Sequence, residues 1–333
     1  IMPVPAVIKG SDHMFITRYE GNGGGQKVGK FVPFTDNGTI AKSCIFNHPS
    51  EPELSRTPSS GGNRKTFTVS TWIKLSAEFG QRRMVFSQAQ DGSNYTHMEF
   101  DTSNRLEVNA NDGSGGADLK LVTNRTFEDT SKFYHILLAV DTTQSTASNR
   151  AKLYVDGDQI TSFSTETYPS QDYDTFVNHT VEIAVGNWIS TGYSTDGYLA
   201  EFNLVDGTAL TPSTFGLTDT STNRWIPKSL TGITYGTNGL RLEFANSAGQ
   251  TIGDDTSGNG NDLAVSNLAT TDLTTDSPTQ NFITFDPLRV YSTQQTLSEG
   301  NLKLTGGSGS GYPKIGVNKE IPQTGKWYWE VLT

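Results

Sequence analysis

The sequence predicts an all-β fold, an antiparallel sandwich, on three observations. Hydrophobic residues make up only 34% of the 333 residues, a balance given by short strands between polar loops rather than by long amphipathic helices. No window of about ten or more residues carries helical periodicity. Short runs of period-two alternation recur between clusters of Gly, Asn, Asp and Ser, about ten of them before residue 250, at the spacing of about 8–12 residues usual in sandwiches.

The stretch 132–163, KFYHILLAVDTTQSTASNRAKLYVDGDQITSF, shows the pattern most clearly. His135 to Val140 is apolar on both faces, which predicts a strand covered on both sides. Leu153 and Val155 alternate with Lys152 and Tyr154. Asp156-Gly157 supplies two positions that tolerate positive φ, the usual short hairpin turn. The chain is then expected to return as a third strand through Phe163, with Ile160 inward.

Other strands follow the same logic. In TFTVSTWIKL, Phe67, Val69, Ile73 and Leu75 share one face and Trp72 takes the other. RMVFS, THMEF and RLEVN are shorter strands, with Asp91-Gly92-Ser93-Asn94 and Thr102-Ser103-Asn104 as turns between them. Strict alternation in YLAEFNLV places Tyr198, Ala200, Phe202 and Leu204 together, and Asp206-Gly207 ends that strand. GLRLEF is a further alternating run.

Residues 1–38 differ from the rest. GNGGGQ at 21–26 has glycines but no flanking strand or helix, so it reads as a linker and not as a phosphate cradle. The segment is expected to be a disordered terminus or an extended arm that orders on docking, burying Val4, Val7, Ile8, Met14 and Phe15.

Charge and composition exclude several classes. A net charge of −10 with no basic stripe argues against nucleic acid. No run approaches the about 18 apolar residues of a membrane span. IMPVPAVIKG lacks the basic start and apolar core of a signal peptide, which points to folding in a cytoplasm. Cys44 is the one cysteine, so no internal disulfide forms and a small buried thiol is expected.

TFTVSTWIK, FYHILLAVD, AKLYVDGDQI and DGYLAEFNLVDG, in that order, resemble a laminin-G/concanavalin-A-like jelly-roll domain over residues 39–288. DDTSGNGNDLAVSNL and DSPTQNF resemble the tail of laminin-G-like proteins of marine bacteriophages. GYPKIGVNKEIPQTGKWYWEVL is similar to the start of a SPRY domain, so residues 289–333 read as a linker and the first strands of an incomplete β domain. Trp327 and Trp329 are then expected to need a continuation of the chain for their core.

The resemblance sets the candidate chemistry. Laminarinase-type hydrolases of this fold use Glu-x-Asp-x-x-Glu on one strand; Glu99 and Asp101 match its first half, but Asn104 stands where the second Glu belongs. No enzyme is expected, since a glycosidase needs two carboxyl groups. His13, His48, His97, His135 and His179 show no metal spacing, and His135 reads as a satisfied core residue. Many domains of the resembled family bind calcium at the rim. Asp254, Asp255, Asn259, Asn261 and Asp262 are the oxygen ligands a calcium ion would take, with 112–118 a weaker second loop; the plain alternative is that these residues build a tight turn. The resemblance thus allows calcium and implies no other cofactor. Sugar binding would use Trp188, Tyr193 and Tyr198, with Tyr168 and Tyr173 on a neighbouring loop, unless these rings only pack. The N-x-T sequons at Asn37, Asn94, Asn124 and Asn178 are read as chance.

The expectation is a non-enzymatic structural or adhesive protein on a bacteriophage virion surface, of tail-fibre type. It would be a homo-oligomer, trimer favoured, with other virion proteins and host-surface glycans as partners and no membrane insertion. The rival readings are a free-standing lectin or adhesin and a polysaccharide-degrading hydrolase.

Overall fold

In the computed structural model, residues 40–76, 79–116, 118–189, 192–245, 250–290, 295–306 and 315–318 are described. The arm residues Val4, Val7, Ile8, Met14 and Phe15, and Trp327 and Trp329, lie outside them. Strands follow in the order β1 (Ser43–Phe46), β2 (Glu53–Arg56), β3 (Thr66–Leu75), β4 (Arg83–Asp91), β5 (Asn94–Phe100), β6 (Arg105–Asp112), β7 (Leu119–Thr126), β8 (Tyr134–Asp141) and β9 (Ala151–Val155). Then come β10 (Asp158–Gln159), β11 (Phe163–Thr167), β12 (Ile183–Val185), β13 (Gly197–Asp206), β14 (Gly216–Asp219), β15 (Arg224–Pro227), β16 (Leu240–Leu242), β17 (Ala264–Ser266) and β18 (Leu273–Thr274). The strands beyond the expected set are mostly pieces of two to four residues, too short to show an alternation in sequence.

Two antiparallel sheets form the sandwich. One runs β10-β9-β8-β3-β13-β1-β18, with β16 also pairing β13; the other runs β11-β7-β6-β5-β4-β12-β2-β17. Between them lie Phe67, Val69, Ile73 and Leu75 of β3, Ile136, Leu138 and Val140 of β8, Met98 and Phe100 of β5, and Leu106 and Val108 of β6, all buried. Each such side chain contributes about 1.5–3 kcal/mol on burial. This is the all-β antiparallel sandwich that the composition and alternation predict, and its topology fits a concanavalin-A-like jelly roll.

The outer face of the first sheet is covered as well. Trp72, Tyr198 and Ala200 pack with Ile45, Phe133 and Trp225, and Leu137 and Ala139 pack with Val205, Phe215 and Tyr235. Double coverage explains the unbroken apolar run of β8. It also explains His135, whose Nε2 lies 2.9 Å from Ser70 Oγ and whose Nδ1 accepts the Trp225 indole N–H at 3.1 Å. The indole donation fixes Nδ1 as the acceptor, so the ring is neutral with its proton on Nε2, and burial pushes its pKa down to about 3.

Two expectations need correction. Tyr198 and Ala200 do not share a face with Phe202 and Leu204. The register of β13 on β3 shifts between Ala200 and Asn203, and Glu201 takes φ 52°, so two residues oppose one at a β-bulge. Before the bulge Tyr198 and Ala200 point outward; after it Phe202 and Leu204 point into the core. The third strand of the 132–163 meander is also shorter than expected. β10 pairs with β9 for two residues only, and Phe163 already belongs to the other sheet, paired with Thr123 of β7. Ile160 does pack against the core.

Toward the end of the described chain, β19 (Phe285–Val290) pairs with β22 (Ile315–Val317), and β20 (Gln295–Ser298) with β21 (Lys303–Gly306). The boundary expected at residue 288 falls inside β19. This part is tied to the sandwich: the Tyr198 hydroxyl donates to Gly300 O at 2.6 Å, and Asn318 Nδ2 to Thr130 O at 3.0 Å.

Candidate functional site

The outer face of the second sheet differs from that of the first. Its strands β5 to β7 present Tyr95, His97, Glu99, Glu107, Asn109 and Lys120 around a cleft of about 370 Å³, with Arg82 and Asp101 at its margin. The β5–β6 hairpin builds most of it. Asp101 accepts the backbone N–H of Ser103 and of Arg105, and Asn104 takes φ 59°. This turn sets Glu99 directly opposite Glu107 and His97 directly opposite Asn109. The turn expected at 101–104 is present, and Glu107 on the neighbouring strand places a second carboxylate beside Glu99.

The charges in the cleft are paired. Arg82 Nε donates to both Glu99 oxygens at 2.9 Å. Lys120 Nζ lies 3.0 Å from Glu107 Oε1, which also accepts Asn109 Nδ2 at 3.1 Å. Burial pushes the Glu99 carboxyl up to about 7 against the pull of Arg82. Burial opposes ionisation of Asp101 too, but the hydrogen bonds from Arg105 and Ser103 outweigh it and hold that carboxyl below its ordinary value. His97 is 2% exposed, and burial, reinforced by Arg82 and Lys120, lowers its pKa to about 3. Neither of its ring nitrogens has a hydrogen-bond partner, nor has Asn109 Oδ1. Buried polar groups are nearly always satisfied, so these atoms at the cleft floor call for partners from within the cleft, either water or a ligand.

Aromatic rings flank the floor. Tyr95 stacks on His97 with centroids 5.0 Å apart, and the edge of Trp188 meets both rings at 5.4 and 5.5 Å. Tyr193 is 39% exposed, and the Arg82 guanidinium sits 4.6 Å from its ring centre. Of the five rings singled out in the sequence, Trp188 and Tyr193 therefore stand beside the cleft. The other three do not. Tyr198 is fully buried under the opposite sheet, where it cannot face a sugar. Tyr173 is buried in the core with its hydroxyl on Asp118, and Tyr168 packs partly against the same core with its hydroxyl on Glu166.

The carboxylates of the acidic loop accept hydrogen bonds from nearby backbone. Asp255 accepts from Arg241 N, Ser257 N and Asn261 N, and Asp262 from Asp255 N. Asp254 caps Thr251, and the amides of Asn259 and Asn261 donate to Gly239 O. This is the geometry of a stapled turn. In the 112–118 loop, Asp112 N likewise donates to Asp118, whose oxygen also takes the Tyr173 hydroxyl. A larger cavity of about 510 Å³ lies over the first sheet, lined by Thr208, Leu210, Ser213, Lys228 and Ile233 among others. Lys228 there is occupied by Ser213 O, and no charged groups converge.

Residues 54–214 match the concanavalin A-like lectin/glucanases superfamily. No curated protein matches the chain by sequence. Among solved structures, the heptameric SAP-like pentraxin from Limulus polyphemus is 18% identical, covering 52% of this chain and 79% of that one, with a TM-score of 0.37. Domains LG4-5 of the mouse laminin alpha1 chain are 15% identical over 60% of this chain and 48% of theirs, TM-score 0.37, so the chain spans about half their length. Domain 4 of AbnA, an extracellular arabinanase from Geobacillus stearothermophilus, in complex with arabinotriose, is 17% identical over 53% of this chain and 76% of that domain, TM-score 0.37.

Proposed function

We propose that the protein is a non-catalytic glycan-binding module whose site is the cleft over β5 to β7. One observation carries this reading: unpartnered buried polar atoms of His97 and Asn109 form a floor beside the rings of Tyr95, Trp188 and Tyr193. A sugar ring offers an apolar face for an aromatic wall and hydroxyls, both donors and acceptors, for such a floor. The match of residues 54–214 to a superfamily of lectins and glucanases supports carbohydrate recognition. On the resemblance of its tail to marine bacteriophage proteins, the module is assigned to a virion-surface appendage of tail-fibre type, a homo-oligomer meeting host-surface glycans. A glycan array probed with the full chain tests the binding. Discrete sugars retained by the wild type and lost on Asn109→Ala support it; an array with no bound sugar overturns it.

One observation favours a second reading, glycoside hydrolysis. Glu99, with its carboxyl near neutrality, faces Glu107 across the hairpin as an acid faces a carboxylate base. Binding is preferred because Arg82 holds both oxygens of Glu99, and Lys120 holds Glu107. Release of reducing sugar from any polysaccharide, lost on Glu99→Gln, would reverse that preference.

A further inference from the structure

We propose that the floor of this cleft is a binding site for a divalent transition ion of the zinc class, with His97, Glu99 and Glu107 as its protein ligands. It does not depend on sugar binding. Among the described residues, these three form the one cluster of His, Cys, Asp or Glu whose ligand atoms all come within 4.8 Å of one another. The cluster is not acidic residues alone. His97 is 2% exposed, lines the cleft, and has both ring nitrogens without a hydrogen-bond partner. Its Nε2 stands 3.9 Å from Glu99 Oε1, too far for a hydrogen bond; bonds of about 2.0–2.2 Å to one tetrahedral ion would draw the two atoms to about 3.4 Å, a shift of about half an ångström.

The donor set selects the ion. One imidazole with two carboxylates suits zinc or manganese; calcium and magnesium prefer oxygen alone. Asn109 Oδ1, also unpartnered and directly opposite His97, offers a fourth donor or orients a metal-bound water. Three protein ligands with a fourth position open to a cleft is the arrangement of zinc sites that bind a further ligand.

Arg82 and Lys120 are the competitors. They neutralise the two carboxylates, and each is about one-third exposed, at 34% and 33%. Both can move into solvent when an ion arrives. Lys120 and Asn109 share Oε1 of Glu107, which leaves the other oxygen for a metal. The same competition makes a prediction that a merely structural histidine would not: removing Lys120 strengthens metal binding.

The test is titration of the chelator-treated full chain, with no glycan present, using cobalt(II) as a visible reporter and zinc as its competitor. The expected result is one equivalent of cobalt giving d–d absorption bands that zinc abolishes and calcium does not. His97→Gln weakens binding at least about tenfold, and Lys120→Met strengthens it several-fold. Absence of a saturable cobalt spectrum, or His97→Gln titrating like the wild type, overturns the site. Where His97→Gln fails to fold, Lys120→Met decides: unchanged or weaker cobalt binding also overturns it. A negative metal titration with retained array binding would remove the metal and leave the glycan reading standing.

Discussion

Glu99 and Glu107 stand directly opposite each other on adjacent strands, and both are buried. Like charges so placed destabilise a hairpin. Arg82 on one side and Lys120 on the other make the arrangement tolerable.

Removing one of these cations therefore exposes the repulsion. Arg82→Met is expected to cost about 1–2 kcal/mol, below the value for a fully buried pair because Arg82 is partly solvated. Adding Glu99→Gln to that variant should restore most of the loss. Urea denaturation of the two single variants and the double variant measures this coupling.

Tyr193 is the most exposed ring beside the cleft, so its removal separates binding from folding. Tyr193→Ala should leave stability within about 0.5 kcal/mol while weakening glycan affinity about tenfold. Calorimetric titration with the best sugar from an array, beside a thermal melt, reads both quantities.

Acid should destabilise the protein through His135. Its folded pKa, about 3, lies below the ordinary 6.5 because the neutral ring is buried. The unfolded chain binds a proton first, so the contribution is present above pH 6.5 and lost as pH falls from there toward 3. From about pH 7 to pH 5 the loss is about 2 kcal/mol. His135→Asn should be less stable at neutral pH and show a correspondingly flatter decline, measured as urea midpoints across that range.

Gly157 is fixed twice over. It takes φ 88° beside Asp156 at 53°, the pair of positive angles that a two-residue hairpin turn requires. A Cβ there would also meet the Trp225 ring at 2.6 Å. Gly157→Ala should cost about 2 kcal/mol in a denaturation experiment, since strain and overpacking add.

Where structure follows from neighbours in sequence, the sequence is a good guide. The Asp156-Gly157 turn, the split of Trp72 from Phe67, Val69, Ile73 and Leu75, and the satisfied burial of His135 were all readable from local pattern. The bulge at Glu201 was not, because Glu rarely takes positive φ and strict alternation hides an inserted residue. Composition singled out Trp188, Tyr193 and Tyr198 alike, and nothing local tells that the first two stand beside the cleft while the third is buried under the other sheet. The facing pair of Glu99 and Glu107 is a different case. Once the turn at 101–104 is recognised, counting outward pairs Phe100 with Leu106, Glu99 with Glu107 and His97 with Asn109. The signal lay between two strands, where a search for spacing along one strand does not look. Arg82 and Lys120 arrive from other strands, and their part required the sheet order.

A sugar is expected to bind over β5 to β7 and not over the opposite sheet. The direct measurement is titration of the best array glycan into the wild type, Asn109→Ala and Thr231→Trp; Thr231 lines the larger cavity over the opposite sheet, which the Trp would fill. The prediction is affinity lost with Asn109→Ala and unchanged with Thr231→Trp. Affinity unchanged by Asn109→Ala and abolished by Thr231→Trp would contradict it.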